Sequence, residues 1–280
     1  MRLILSVLCP LLVTFAAIAD DDVETASVAK SADIAAAKEK GAADRVVAEV
    51  INGSIELVVD DGRDAPLVEA EFTVDGNDEK DIKRRSELVR LYAERAADQT
   101  VVVQPIFPGK AMKRDSVKVR IVVPKCGDAS LKCTNGAVTT AGTAGKLKIS
   151  TRNGAIKVAN HAGSIDANAA NGGVEIKGAG AEVRVSAANG AVEVSLADGN
   201  DLPFEVESKT GTVRVEVGPT FDGIVKMNTT TGEISLSDSG KRLRTTHETE
   251  HSRTVELGAA GGTSEIRTNT GSVRLAVRSK

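Results

Sequence analysis

The sequence STRNGAIKV, residues 150–158, returns in nearly the same form along the chain. Related copies read NGSIEL, NGAVTT, NGGVEI, NGAVEV, TGTVRV, TGEISL and TGSVRL. From NGAVTT onward their glycines are spaced by eighteen residues, later by twenty-one and finally by thirty-nine: Gly136, Gly154, Gly172, Gly190, Gly211, Gly232 and Gly271. A fixed period near twenty residues is typical of a repeat architecture rather than of a catalytic motif.

Each corner glycine is followed by apolar–polar–apolar alternation, such as IKV at 156–158, which predicts a strand with one buried face. Thr140 is the polar exception in the second apolar column. A second alternating strand begins halfway round each repeat, as in LKI at 147–149. We therefore predict an all-β parallel β-solenoid with two main strands per coil of 18–21 residues. The crossover preference of parallel strands favours right-handed winding.

The Asn-Gly pairs are predicted to form corners, where glycine tolerates a positive φ freely and asparagine better than most residues. Stacked coils bring the asparagine amides into one column, where they can hydrogen-bond from coil to coil: Asn135, Asn153, Asn171 and Asn189. Threonine takes that place in the later coils: Thr210, Thr231 and Thr270. In chain order, the outward charges of the second strand alternate in sign, which supports the register: Lys148, Asp166, Arg184, Glu205, Lys226 and Glu265.

The N-terminal residues predict export. Residues 1–19 read as a secretory signal, since Arg2 precedes an apolar run and AIA at 17–19 fits a cleavage site. The mature chain is expected in the periplasm, at the cell surface or secreted, with no transmembrane span after signal cleavage. Without Arg2 the net charge of −3 becomes about −4, which disfavours nucleic acid as a partner.

The remaining sequence divides into three parts. Residues 20–44 are predicted as a flexible leader, and residues 45–125 as a small α+β N-terminal cap. Within this cap we expect four strands and one helix, at 45–59, 67–74, 100–107, 117–123 and 79–96 respectively. Asp78 is the expected helix N-cap, and the apolar helix face is Ile82, Val89, Tyr92 and Ala96. Residues 126–280 form the repeat region, with a polar insertion at 240–257.

Two short motifs resemble metal sites. HETEH at 247–251 matches the zinc-protease pattern, in which His247 and His251 bind one ion and Glu248 activates water on a helix. Its surroundings are polar and β-branched, so we expect a solvated loop or hairpin. DGND at 198–201 offers Asp198 and Asp201 to a cation, but an ordinary loop is the simpler interpretation. The sequence therefore predicts no cofactor and no catalytic residue.

Cys126 and Cys133 remain after signal cleavage, and a pair of cysteines in an exported protein suggests a disulfide. The repeat register opposes this bond, because an extended strand would hold the two Cα atoms about 20 Å apart. The sequence is compatible with either a disulfide or two free thiols. His161 lies near an Ala-Gly turn and is expected at the surface.

The order of these features resembles a known family. A signal, a strand–helix–strand block ending in Val123-Pro124, recurrent T-x-N-G-x-V-x-V coils and a final TNTGSVRLAV are similar to the bacterial β-strand-repeat family called "putative adhesin", which is DUF4097-like. The resemblance covers roughly residues 45–280 and implies a surface or envelope role without transferable catalytic residues.

The sequence favours a non-catalytic envelope module, structural or adhesive, that binds an envelope or extracellular protein or glycan. The alternatives are a carbohydrate-active β-helix enzyme and a regulatory or folding-assistance module of the envelope. Aromatic residues are 2% of the chain and tryptophan is absent, which disfavours the sugar platforms that such an enzyme needs.

Overall fold

A computed structural model describes residues 25–34, 44–96, 98–238, 240, 242–258 and 261–279. The predicted signal and most of the predicted leader lie outside these residues. In chain order the elements are β1 (Ala26–Asp33), β2 (Asp44–Val59), β3 (Leu67–Val74), α1 (Glu79–Leu88), β4 (Arg90–Arg95), β5 (Thr100–Ile106), β6 (Ser116–Val123), β7 (Cys126–Asn135), β8 (Val138–Ala141), β9 (Leu147–Asn153), β10 (Ile156–Ala159), β11 (Ile165–Asn171), β12 (Val174–Ala179), β13 (Val183–Asn189), β14 (Val192–Leu196), β15 (Phe204–Thr210), β16 (Val213–Val217), β17 (Gly223–Thr231), β18 (Ile234–Asp238), β19 (Leu243–Glu248), β20 (Ser252–Leu257), β21 (Thr263–Thr270) and β22 (Val273–Val277).

The repeat builds a large, nearly closed and mostly parallel sheet, as its period predicts. One half, the long-strand half, contains in spatial order β5, β2, β7, β9, β11, β13, β15, β21 and β17. The other, the short-strand half, contains β6, β2, β8, β10, β12, β14, β16, β22 and β18. The two halves meet at the glycine corners, which β2 crosses as one continuous strand.

The core lies between the halves and is built from the predicted inward columns. Along the short-strand half the first inward residue after every corner except Gly232 is apolar and almost fully buried: Ile55, Val138, Ile156, Val174, Val192, Val213 and Val273. Valine and isoleucine suit this position, because their branched side chains fill a thin layer between pleated surfaces. One level buries too little apolar area to fold alone, so stability depends on stacking.

The chain does not stack its levels in sequence order at either end. β2 lies between the β5/β6 level and the β7/β8 level. β5 and β6 therefore lie outside β2 in the stack, although they follow it in the sequence. At the opposite end β21 and β22 insert between β15/β16 and β17/β18. The first and last repeat levels are therefore each covered by another level, and antiparallel strands lie beyond: β3 and β1, β4, and β20 with β19.

Two sequence predictions in the N-terminal part are wrong. The helix is shorter than residues 79–96: it starts after Asp78, whose side chain accepts from the Asp81 N–H, and it ends at Leu88. The following residues form β4, because their alternation lets Leu91 and Ala93 face the core while the backbone pairs with β5. The segment predicted as a flexible leader contains β1, which pairs with β3 over its whole length.

A buried ion pair fixes α1 to the strands. The Arg85 guanidinium contacts the Asp115 carboxylate, and both side chains are less than a tenth exposed. Arg85 also donates to the carbonyls of Asp75, at 2.8 Å, and Pro108, at 2.9 Å. The Asp115 carboxylate accepts from the Asp75 N–H at 3.0 Å, so the charges have the additional hydrogen bonds that a buried pair requires.

Candidate binding face

The predicted asparagine column is present and begins one level earlier than the sequence suggested, at Asn52. Each amide donates to the carbonyl oxygen of the preceding one, over 2.7 to 2.9 Å: Asn135 to Asn52, Asn153 to Asn135, Asn171 to Asn153, and Asn189 to Asn171. The ladder runs along one corner of the molecule and its residues end the strands of the long-strand half. It therefore ties neighbouring levels together at the solvent edge.

Close packing, as well as backbone conformation, explains the corner glycines. A Cβ on Gly154 would lie 1.9 Å from the Gly136 carbonyl oxygen, and the other repeat corners are equally close to their neighbours. Several also have φ between 143° and 151°: Gly136, Gly172, Gly190, Gly211, Gly232 and Gly271. The asparagines of the ladder do not share this conformation, so the expectation that asparagine serves a positive φ is wrong. Their function is the amide ladder.

A column of small residues faces inward beside the corners, and the hydrogen bonds of its hydroxyl-bearing members were not predicted from the sequence. Hydroxyls of Thr151, Ser208 and Thr268 donate to the carbonyls of corner glycines over 3.1 to 3.3 Å. These hydroxyls supply donors to glycine carbonyls that would otherwise be buried at the turn without one. The recurring small residue three positions before each glycine was the available signal.

The outer face of the long-strand half is the widest regular surface of the repeat. β9, β11, β13 and β15 each have seven residues and present three outward side chains, which makes a face about 20 Å wide. Its central part carries short polar or small residues beside the charge column: Ser150, Asn168, Ser186, Ala170 and Ala188. The short-strand half presents only two outward residues on β10 and β14.

The charge column on this face departs from the predicted alternation at one step. Because β21 inserts next to β15, Glu265 lies beside Glu205 and between it and Lys226. Each glutamate has its own cation: Arg184 Nε lies 3.0 Å from Glu205, and Arg267 Nε lies 2.7 Å from Glu265. Earlier steps alternate as expected.

On the short-strand half, Glu175 and Glu193 are neighbours, as the register predicts. Lys177 contacts Glu175, Lys157 lies 3.7 Å from it, and Arg214 lies 3.9 Å from Glu193. The hydrogen bond from Lys177 and its charge lower the pKa of Glu175 below its ordinary value. The two carboxylates are thus flanked by cations at the surface.

HETEH lies on the β19–β20 hairpin, as predicted, rather than on a helix. His247 and Glu248 end β19, and His251 is in the turn. The Glu248 carboxylate contacts the Arg253 guanidinium. In the described part of the chain, no three histidine, cysteine, aspartate or glutamate side chains are grouped closely enough to hold a metal ion.

The DGND segment forms the loop between β14 and β15. Asp198 accepts from Arg278 at 2.8 Å, whereas Asp201 is exposed. The intervening Asn200 is buried and donates to the carbonyls of Ala179, at 2.8 Å, and Ala181, at 2.9 Å. The loop therefore binds the chain near its C-terminus through the pairing of Asp198 with Arg278.

Cys126 and Cys133 are free, buried thiols on the same strand, so the candidate disulfide is not formed. Burial raises the pKa of Cys126 to about 12, and burial raises the pKa of Cys133 to about 11. Both thiols are accordingly unreactive at neutral pH, since the thiolate is the nucleophile.

The surface prediction for His161 is wrong, because the ring is 1% exposed. Its Nε2 lies 3.1 Å from the Gly145 carbonyl and 3.2 Å from that of Ser164, so Nε2 carries the proton. Nδ1 then accepts from the Thr143 hydroxyl at 2.8 Å. Burial lowers the pKa of His161, against the opposing effect of these hydrogen bonds. The neutral ring packs inside the turn.

Among the described residues no helix is long and apolar enough to cross a membrane. The chain is similar to a "putative adhesin" from Bacteroides fragilis NCTC 9343, with 12% identity over 89% of this chain and 96% of that chain, at a TM-score of 0.43. It is also similar to a "putative cell adhesion protein" from Clostridium sporogenes ATCC 15579, with 11% identity over 91% and 100%, at a TM-score of 0.34. At these scores neither likeness assigns a function.

No curated protein sequence matches the chain. A family model described as "Domain of unknown function (DUF7330)" matches residues 120–278, from β6 through β22. This match does not show the DUF4097-like identity that the sequence suggested. Since the matched residues are more than half of the sequence, the chain belongs to the DUF7330 family.

Proposed function

We propose that this chain is an exported, non-catalytic binding module of the cell envelope, built as a right-handed parallel β-solenoid with a small α+β N-terminal cap. The observation that supports it is the outer face of the long-strand half. This face is regular, about 20 Å wide and continuous over many levels, which suits an extended protein or glycan.

The chemistry of the face supports binding spread over several levels. Its charges are exposed and of both signs, as in the step from Arg184 to Glu205. Exposed charges attract a partner but are screened by salt. We therefore expect affinity to fall as ionic strength rises, and no single substitution on the face to abolish binding.

The absence of covalent chemistry is also part of the proposal. The enzyme-like motif is on a hairpin, and its would-be general base, Glu248, is held by Arg253. The recurring residues have structural roles in the ladder, the corners and the core.

The test is capture of ligands from the organism's own envelope fraction by the mature protein, combined with a glycan array. We expect a saturable, salt-sensitive partner whose mass is unchanged by incubation. Metal-dependent cleavage of a peptide or glycan that Glu248→Gln abolishes would instead establish an enzyme. Failure to bind any envelope component or glycan would contradict the binding role.

A further inference from the structure

The end of the molecule formed by β17 to β20 is uneven. The long-strand half continues past β17 with the antiparallel strands β20 and β19. The short-strand half stops at β18, which pairs with β22; within the described residues no strand lies on its other side. One half of the sheet therefore extends two strands beyond the other.

This step leaves backbone groups and core side chains open. The Val273 N–H donates to the Glu233 carbonyl at 2.8 Å, so by the parallel ladder the backbone groups of Ile234 and Leu236 face the free side, where the Ile234 carbonyl accepts from the Arg253 guanidinium at 3.4 Å. Residues of the same inward columns are almost fully buried elsewhere, yet Ile234 and Leu236 are only partly buried. An added strand would pair with this backbone and cover these side chains.

The inward-facing charges at this step, Arg253 on β20 and Glu248 on β19, are paired with each other, and β18 itself carries a single charge. At the opposite end, β1 places Lys30 opposite buried Ala70, where burial and the nearby Arg90 charge lower the lysine pKa. A charge on an edge strand discourages pairing with another chain. On β18 the one charge, Asp238, is occupied by the N–H groups of the adjoining loop. β18 itself thus presents no free charge to a partner strand.

We propose that the strand added beside β18 comes from a second copy of this chain, in a two-fold, end-to-end dimer. The two-fold axis runs parallel to the strands and brings the long-strand half of each molecule in line with the short-strand half of the other. β19 of the copy then lies beside β18, and β18 of the copy lies beside β19. The direction of β19 makes both new contacts antiparallel. A step of two strands on one molecule fits the same step on the other, and no subunit is left with an open step.

The side chains on the two edges agree with this contact. Thr245 is opposite the fully buried Val255, so it shares the inward face of β19 and would meet the inward face of β18. The charges of β19 are already paired within the hairpin, Arg244 with Glu256 and Glu248 with Arg253. No unpaired like charges would face each other.

Sedimentation equilibrium of the full mature chain tests the dimer, and we expect twice the mass of one chain. Thr245→Asp and Leu236→Lys should each give a monomer with an unchanged far-ultraviolet spectrum. Thr230→Asp makes the same substitution at an exposed site on the outer face of β17 and should leave the dimer intact. A wild-type monomer, an open filament, or a dimer that survives Thr245→Asp would overturn the proposal.

Mixing the two monomeric variants tests the geometry itself. In a mixed pair, one contact joins two unaltered strands, and the other sets the carboxylate introduced on β19 against the ammonium group introduced on β18. These opposite charges attract across the interface, so a dimer should form again. This rescue is specific to pairing of β18 with β19. If equimolar mixing yields no dimer, the contact is not the one proposed.

Discussion

Thr140 is a polar residue in an apolar inward column, between Leu57 and Val158 on the neighbouring strands. Its hydroxyl is fully buried and has no hydrogen-bond partner among the described residues. We predict that Thr140→Val raises the free energy of unfolding by about 1 kcal/mol, because the shape is kept and an unsatisfied group is removed. Urea unfolding followed by circular dichroism measures this.

The matched control is Thr151→Val, the same change at a buried threonine whose hydroxyl donates to the Gly136 carbonyl. This variant should lose about 1 kcal/mol, since it leaves a buried acceptor without its donor. If both variants shift in the same direction, the hydrogen-bond argument fails.

His161 makes stability depend on pH. Its folded pKa is lowered by burial, so the unfolded chain, with a pKa of about 6.5, takes up the proton first as the pH falls. Stability from this group is therefore complete above about pH 6.5 and is lost progressively below it. The urea midpoint of the wild type should fall between about pH 7 and pH 5 more steeply than that of His161→Gln. Equal slopes would show that His161 titrates normally.

The corner glycines and the positive φ of most of them were predicted correctly from the sequence, but the close contact between stacked corners was not. The recurrence of glycine in the sequence shows that the residue is needed, and a turn is the usual reason. The close approach of one corner to the next appears only when the levels are stacked, so the sequence does not reveal it. His161 was misplaced for a related reason, since its neighbours along the chain are small and the groups that bury it include Thr143, on the previous level.

At the scale of a corner, Gly154→Ala separates steric contact from conformational preference. We predict a loss of about 3 kcal/mol or more, because the new methyl group would lie 1.9 Å from the Gly136 carbonyl oxygen. Gly173→Ala is the control, since its nearest neighbour, the Ala191 carbonyl oxygen, is 3.4 Å away. That change should alter stability by less than about 1 kcal/mol. If both variants lose a similar amount of stability, the contact between stacked corners is not the reason that Gly154 is needed.

The asparagine ladder is tested within one strand. Asn171 donates to Asn153 and accepts from Asn189, whereas Asn168 lies on the same strand, exposed on its outer face. Asn171→Ala should lower the free energy of unfolding by about 1–2 kcal/mol, and Asn168→Ala by less than about 0.5 kcal/mol. Thermal unfolding measures both; an equal effect would mean that the ladder adds nothing.

Elements with strong periodicity were predictable, and their spatial order was not. The alternation in residues 67–74 and 117–123 gave β3 and most of β6. Alternation also continues through β4, but the helical spacing of Ile82 and Val89 concealed where α1 ends. All repeat levels carry the same phrase, so nothing local indicates that β21 and β22 insert before β17 and β18.

At the scale of the whole molecule, that insertion has a structural consequence. The first and the last repeat levels each have a neighbour on both sides, so neither is left at an open end. In stacked repeats the terminal units are the least stabilised, because they contact only one neighbour. At one end β5 and β6 take the outermost position, and at the other the insertion moves it from β21 and β22 to β17 and β18, which also carry the repeat phrase.

We propose that a partner binds the outer face of the long-strand half. The most direct measurement is the affinity of the captured envelope ligand for the wild type and two matched variants. Arg184→Glu reverses an exposed charge on that face, and Arg214→Glu reverses one on the opposite face. We predict that Arg184→Glu weakens binding several-fold and reduces its salt dependence, while Arg214→Glu leaves both unchanged. Binding that is lost with Arg214→Glu and retained with Arg184→Glu would contradict the account.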